Sequence, residues 1–542
     1  MHVITAILMS IVSGILLFVS FPAYDLSFLA WFALVPLFVT IAGKKPGHAF
    51  LLSFVWGVTF FAGIFYWIFE VPRYRFLHES LFALYLGPCL GVFGLAFNYI
   101  SRRSGFTAAL FAAPFLWVSL EYIRSNLSFL ALPWALLAHS QYLNPPVIQI
   151  ASFTGAHGVS FLIVTVNAAI AATFLPFVYW LKKSKQPFYQ FPTGLGRLAV
   201  VVTAGALAVL ALVYGHMTLS EPMGGRGIKI SVVQGNIEQE RKWDPKYAKF
   251  IMDTYADLTQ RASRHRPALI IWPEGATPRA INRDPALYGQ VRHIARTAEA
   301  YLLLGSSQHQ KFKEEGSKEV KYLNSAFLIP PEMGRARTQR YDKIRLLPFG
   351  EYLPLKGTIP WSYIKIPDIS SYVPGKEFTL FEAHEFRFGV TICWESIFPD
   401  LVRQFVKGGA QFIVNITNEA WFGKTAAPYQ FVSMSVFRAV ENRLFVVRCA
   451  NTGVSCFIDP YGRVVDRVKD TGGRDTFVRG VLTETVIPME SKTIYTRYGD
   501  WLAWLSLACS PIFLVTAFLS KSPTMHSIPS GEAMSRSHGS VQ

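Results

Sequence analysis

A multi-span α-helical membrane bundle of about eight spans, carrying a layered α/β domain, is the fold class this sequence predicts. Three observations point to it. The 542 residues are 51% apolar and only 16% charged, with mean hydropathy above zero, a balance too apolar for an ordinary soluble chain and too charged for a pure bundle. Apolar runs close to the ~20 residues that a helical span requires recur along the first 215 residues and once more near the end. Between them, residues 216 to 498 alternate strand-like and helix-like patterns.

The runs lie near residues 3–20, 26–42, 49–69, 80–100, 107–123, 158–180 and 197–215, with an eighth at 499–519. The first has no basic flank before it and no clear small-residue cleavage site, so it reads as a retained span, not a removed signal peptide. Lys44 and Lys45, Arg102 and Arg103, Lys182, Lys183 and Lys185, and Lys521 fall in alternate connections. Basic residues stay on the cytoplasmic side during insertion, so the N-terminus is expected inside and the polar block outside the cytoplasm. In a bacterium with two membranes that compartment is the periplasm, and the bundle belongs to the inner membrane. The expected domains are therefore 1–215, a bundle of seven transmembrane helices; 216–498, an extracytoplasmic catalytic domain; 499–520, an eighth transmembrane helix; and 521–542, a disordered cytoplasmic tail rich in Ser, Gly and His.

The connection from 124 to 157, with Trp134, Tyr142 and Pro145-Pro146, reads either as a loop resting on the bundle or as a membrane-dipping arm. Glu121, at a span end, is costly in hydrocarbon and ordinary at the interface.

In the polar block, strand-like runs occur at Ile228–Val233, Ala268–Trp272, Tyr301–Gly305, Ser325–Ile329, Phe386–Ile392, Phe412–Ile416, Leu444–Arg448 and Val454–Ile458. Helical patterns lie at 244–264, 285–299, 396–407 and 427–442. Ala268-Leu269-Ile270-Ile271-Trp272 is apolar throughout, which suits a strand buried on both faces. Catalytic side chains then belong where such strands end.

Glu274, Lys343 and Cys393 meet that description. Glu274 follows a buried run in Trp272-Pro273-Glu274-Gly275; Cys393 follows Phe386–Ile392 and leads into Trp394-Glu395-Ser396; Lys343 stands in a stretch that runs on to Pro348-Phe349-Gly350-Glu351. Each alone has a plainer reading: a cysteine at a strand end is usually a small hydrophobe, a glutamate after a strand is usually solvated or near a helix cap, and a lysine is usually a surface charge. A base, a cation and a nucleophile together suit acyl transfer. A thiol is only a few per cent thiolate near neutrality and needs a base, Glu274 can serve as one, and Lys343 with the backbone N–H of Trp394 can stabilise an oxyanion. The other cysteines show no metal-ligand spacing and no disulfide framework, so neither a metal nor another cofactor is expected.

In this order and in these contexts, Glu274, Lys343 and Cys393 resemble the nitrilase superfamily, whose fold is a four-layer α-β-β-α sandwich. With the run Asn418-Glu419-Ala420-Trp421-Phe422-Gly423 and spans on both sides, the chain is similar to the membrane-embedded bacterial apolipoprotein N-acyltransferases, a resemblance that extends to about residue 520. The resemblance implies a ping-pong transfer of an acyl chain from a phospholipid, typically phosphatidylethanolamine, through a Cys393 thioester to the α-amine of a diacylglyceryl-cysteine lipoprotein. It also implies Glu351 as a second carboxylate near Lys343, Glu395 as a partner beside the nucleophile, and Trp243 on a substrate-facing loop. Trp243 reads equally as a packing anchor, Trp394 and Glu395 as loop supports, and Asn418 as a backbone clamp. The family often has tyrosine where this chain has Trp394 and aspartate where it has Glu419; both changes keep the chemical character.

Water competes with the amine for a thioester, so apolar loops are expected over the site. The segment 355–375, with Pro360, Trp361, Tyr363, Ile366, Pro367, Tyr372 and Pro374, is the candidate lid. The net charge of +17 comes without a nucleic-acid motif and fits anionic headgroups, so the expected partners are the bilayer, a phospholipid donor and a lipoprotein acceptor, with the protein a monomer and no nucleic acid bound. Two rival readings are a membrane-tethered nitrilase-type amidohydrolase, which would not need eight spans, and a transporter or receptor. Transport pathways usually carry mid-span ionisable residues, which are few here.

Overall fold

The computed structural model describes residues 3–71, 76–181, 194–242, 244–311, 320–332, 337–355, 358, 372–491 and 493–520. Trp243, most of the 355–375 segment and the tail after Ser520 lie outside the described residues, so the expectations for them are not resolved there.

All eight apolar runs are helical, but the count of spans changes. Six helices among the described residues are long and apolar enough to cross a membrane: Pro46–Glu70, Phe82–Ser104, Phe106–Asn126, Ala156–Phe174, Gly194–Leu219 and Trp501–Leu519. The first two runs fold as shorter apolar elements, Val3–Phe18 and Ser27–Ile41. The physical reason is local. Phe21-Pro22 stops the first helix, and Pro36 at the start of Val35–Ile41 splits the second run into a 3-10 turn and a seven-residue helix. Gly194–Leu219 and Trp501–Leu519 each turn most of their apolar side chains outward, with Leu195, Leu198, Val202, Ile512 and Phe518 exposed. A continuous apolar exterior of this kind suits hydrocarbon and is costly in water. Inside the bundle, small residues let helices close. A Cβ on Gly94 would stand 1.9 Å from the Ser53 hydroxyl.

The connection from 124 to 157 packs onto the bundle, as the first of its two readings has it. Trp134, Leu137 and Tyr142 are buried, and the Trp134 indole donates to Gln430 Oε1 at 2.9 Å across to the other domain. Gln430 also accepts from the Trp67 indole at 3.1 Å and donates to the Ile64 carbonyl at 3.0 Å. One buried amide thus ties two segments of the bundle to the helix Ala427–Asn442. Glu121 is buried, its Oε1 accepting from the Trp117 indole at 2.9 Å and from the Leu137 N–H at 2.7 Å, with His157 Nδ1 3.6 Å from Oε2.

The polar block folds as two six-stranded sheets. The strands are β1 Ile228–Gln234, β2 Leu269–Ile271, β3 Tyr301–Lys311, β4 Val320–Ile329, β5 Gln339–Asp342, β6 Leu380–Ala383, β7 Phe386–Ile392, β8 Ile413–Thr417, β9 Val446–Ala450, β10 Cys456–Ile458, β11 Val464–Arg467 and β12 Gly480–Val486. Their orders are β12-β1-β2-β3-β4-β5 and β11-β10-β9-β8-β7-β6. In each sheet the three middle strands are parallel and the flanks antiparallel. All eight expected strands are present; β5, β6, β11 and β12 were not expected, being short or half-exposed without an apolar run.

The sandwich follows from the alternation of side chains in buried strands. In β2, Leu269 and Ile271 join the core between the sheets, while Ile270 and Trp272 join a second core under the helices Ala248–Ser263 and Pro285–Thr297. The helices Pro399–Lys407 and Ala427–Asn442 cover the other sheet. Cys449 on β9 reaches across the interface, its thiol 3.2 Å from the Ile271 carbonyl of β2. Cys449 and Cys456 are both free and buried.

Candidate active site

Residue order along parallel strands brings the candidate side chains to one edge. β1, β2 and β3 run in one direction, β4 reverses it and β5 restores it, so Glu274 after β2 and Lys343 after β5 leave the first sheet on the same side. Cys393 after β7 and Asn418 after β8 leave the facing sheet at the ends of parallel strands. Such edges are where α/β sheets hold their ligands.

Glu274 is held at both oxygens. Oε1 accepts from Asn324 Nδ2 at 2.7 Å and Oε2 from the Asn418 backbone N–H at 2.9 Å. The same Asn324 amide donates to Glu351 Oε1 at 3.0 Å, and that oxygen accepts from Lys343 Nζ at 2.9 Å. The two carboxylates and the lysine therefore stand in one hydrogen-bonded chain, Glu274, Asn324, Glu351, Lys343. The other Glu351 oxygen accepts from the Leu347 N–H at 2.7 Å, which fixes the turn after Lys343. Lys343 is 1% exposed. Burial alone would pull its ammonium down, but the Glu351 carboxylate, with Glu274 and Glu395, outweighs that and raises it above the ordinary lysine range.

Cys393 sits at φ +56, a left-handed conformation uncommon for a residue with a side chain and often found where function demands it. Asn415 Nδ2 holds its carbonyl at 3.1 Å, and Arg448, buried beneath, holds Asn415 Oδ1 at 2.8 Å and Glu419 Oε1 at 2.5 Å. Burial pushes the Cys393 thiol up, the Glu274 charge adds to this, and Lys343 opposes it.

Glu395 is fully buried. Its oxygens accept from the Tyr341 hydroxyl at 2.9 and 3.0 Å, the Ile344 N–H at 2.7 Å, the Arg345 N–H at 2.9 Å and the Ile392 N–H at 2.8 Å. This one carboxylate joins the lysine turn to the cysteine turn across the two sheets. Burial pushes it up to about 7, against the hydrogen bonds it accepts. The Trp394 indole donates to the Arg345 carbonyl at 2.7 Å, a second tie between the same turns.

Asn324, Asn415 and Lys242 were not anticipated. Asn324 lies on β4, which begins at Val320 and not at Ser325, so an expected loop residue became a strand residue facing the site. Tyr372, at the end of the expected lid, is described: its N–H donates to the Glu351 carbonyl at 3.1 Å. Among the described residues no group of His, Cys, Asp and Glu could hold a metal ion.

A two-sheet sandwich with a carboxylate, a lysine and a cysteine at its strand ends defines a nitrilase-type catalytic domain, and residues 229–487 match the model of the carbon-nitrogen hydrolase family. Residues 13–169 match the apolipoprotein N-acyltransferase N-terminal domain. The chain belongs to the apolipoprotein N-acyltransferase family. It is 37% identical to the Geobacter metallireducens enzyme of that name over 95% of this chain and 96% of that one. Against the Chlorobaculum tepidum protein of the same name it is 30% identical over 94% and 96%. A solved mutant amidase of the nitrilase superfamily from Nesterenkonia AN1 is 18% identical, covers 51% of this chain and 95% of its own, and has a TM-score of 0.35.

Proposed function

We propose that this protein is an inner-membrane acyltransferase, its catalytic domain in the periplasm, that moves an acyl chain from a phospholipid to the N-terminal amine of a diacylglyceryl-cysteine lipoprotein. Family membership supports the class of reaction. The observation that carries the mechanism is the chain from Glu274 through Asn324 and Glu351 to Lys343, beside a half-buried thiol at the start of a strained turn.

In the first half-reaction the Cys393 proton passes to Glu274 as sulfur bonds to the donor ester carbon. The oxyanion is met by the Lys343 ammonium and the Trp394 N–H. As the intermediate collapses, the carbon-oxygen bond breaks and Glu274 returns the proton to the departing lysophospholipid alkoxide. In the second half-reaction the lipoprotein amine attacks the thioester carbon, Glu274 takes a proton from nitrogen, the carbon-sulfur bond breaks, and that proton returns to sulfur. Glu351 keeps Lys343 charged and aimed, while Glu395 and Trp394 hold the two turns in register. Trp243 and the 355–375 segment are the proposed substrate-facing loop and lid. The domain limits of 1–215, 216–498, 499–520 and 521–542, with the two short N-terminal helices completing an eight-span bundle, and a monomeric state belong to the same proposal.

Purified protein in detergent, given acyl-labelled phosphatidylethanolamine, is expected to acquire hydroxylamine-sensitive label that Cys393→Ala abolishes and that moves to a diacylglyceryl-cysteine peptide. Folded wild type that takes no label would overturn the lipid-donor mechanism in favour of an amidohydrolase.

A further inference from the structure

Lys242 is the second buried lysine of the site, and the mechanism above leaves it unused. It closes the short helix Gln239–Lys242 and is 3% exposed. In the run Glu238-Gln239-Glu240-Arg241-Lys242 the other charges face outward, Arg241 pairing with Glu238 at 2.8 Å on the surface. Lys242 turns in. Its Nζ donates to the Glu274 backbone carbonyl at 3.0 Å, and it lies 3.6 Å from where a Cβ on Gly275 would stand. The same helix reaches Glu274 by a second route: Gln239 Oε1 accepts from Asn418 Nδ2 at 2.7 Å, and Asn418 donates its backbone N–H to Glu274.

We propose that Lys242 is a positioning residue for the base, pinning the Glu274 turn and placing a second buried positive charge beside the Glu274 and Glu351 carboxylates. The inference rests on the reading of Glu274 as general base. Its ground is a balance of charge. Asn324 brings two carboxylates, Glu274 and Glu351, onto one amide. One cation, Lys343, is committed to Glu351 at 2.9 Å, and Lys242 is the second. Cys393, Glu419 and Tyr372, on which the Glu274 charge also acts, carry no positive charge. With Lys242 neutralised, two carboxylates share one ammonium, and the cluster takes up a proton at higher pH. A neutral donor of the same reach would still hold the carbonyl, by a weaker hydrogen bond, but would bring no charge. Burial pushes Lys242 down to about 8 while Glu274 pulls it back up, so the charge persists at neutral pH.

The test uses full-length protein in detergent, as wild type, Lys242→Arg, Lys242→Met and Lys242→Gln. Infrared difference titration against Glu274→Gln follows the Glu274 carboxyl without substrate, and single-turnover thioester formation from labelled phosphatidylethanolamine is measured from pH 5 to 9. Removing the charge is expected to raise the Glu274 midpoint and the acid limb of the rate by about one pH unit. Lys242→Arg is expected to keep both. Should the Met variant fail to fold, the Gln variant, which keeps a donor without charge, carries the comparison. An unmoved midpoint in a folded uncharged variant, with the rate lowered equally at every pH, would overturn the proposal and leave Lys242 a peg. A shifted midpoint without any thioester in wild type would support Lys242 and refute the lipid-donor reading instead.

Discussion

Asn324 is the side chain on which the base and the cation meet, and replacing it by aspartate or by leucine separates two contributions. Both residues are close to asparagine in size. Leucine removes one donor from Glu274 (2.7 Å) and one from Glu351 (3.0 Å). A hydrogen bond to a charged group contributes about 1.5–3 kcal/mol, so loss of the bond on the base alone slows thioester formation by roughly 10- to 100-fold. Aspartate does more. It sets a third carboxylate about 3 Å from two others, where each pair of unit charges repels by about 5 kcal/mol at an effective dielectric constant of 20. The cluster escapes by taking up a proton, and the group that must accept a proton from Cys393 is then partly protonated at neutrality. Asn324→Asp is therefore expected to lose a further ~10-fold or more near pH 7 relative to Asn324→Leu. Its acid limb is expected to move upward further than that of the leucine variant, which loses a hydrogen bond to the carboxylate but gains no charge. Thioester formation in a single turnover against pH, with thermal unfolding in the same detergent as the control for folding, measures both. An aspartate variant as fast as leucine, with an unmoved acid limb, would refute the shared-amide account.

Glu274→Gln is expected to have opposite effects on two properties of Cys393. Acyl transfer falls by about 10²–10⁴-fold because the base is lost, yet alkylation by iodoacetamide near pH 8 becomes faster, because the charge that adds to burial in raising the thiol has gone. Gly305→Ala places a Cβ 2.6 Å from the Glu274 Cα and 2.9 Å from the Gly275 nitrogen; backbone at that range must shift, so acyl transfer drops while the protein still unfolds cooperatively, less stable by about 1–3 kcal/mol. Gln430→Leu strips the Trp67 and Trp134 indoles of their acceptor, and two unsatisfied buried donors destabilise the protein by about 2–4 kcal/mol, read as a lowered thermal midpoint in detergent.

Much of this protein was legible in its amino-acid order because the informative signals are local. An uncharged run of about 20 residues speaks for itself, and so does a strand such as Leu269–Ile271, apolar on both faces because both faces are covered. Glu274 and Cys393 each follow such a strand, while Lys343 follows β5, which has no apolar run, and a residue at a strand end is presented by the backbone whatever surrounds it. The limit of local reading appears at the N-terminus, where composition called for two spans and Pro22 and Pro36 cut the helices short.

What only the tertiary structure decided is which side chains meet. Asn324 is one polar residue in a strand, and nothing in its neighbours along the chain marks it; it matters because β4 pairs with β5 and carries it to Glu274, 50 residues back in sequence, and to Glu351, 27 residues on. Glu395 stands next to the nucleophile in sequence, but its task is to hold the turn at Ile344 and Arg345, about 50 residues earlier. Lys242 belongs to a run of charges that reads as solvated surface, and only packing turned that one inward. The order of residues marked the apolar strands, the long apolar helices and the candidate reactive groups, because propensity and hydrophobic period act over a few neighbours. The hydrogen-bonded cluster around those groups depends on contacts between distant segments, which exist once the two sheets have closed on each other.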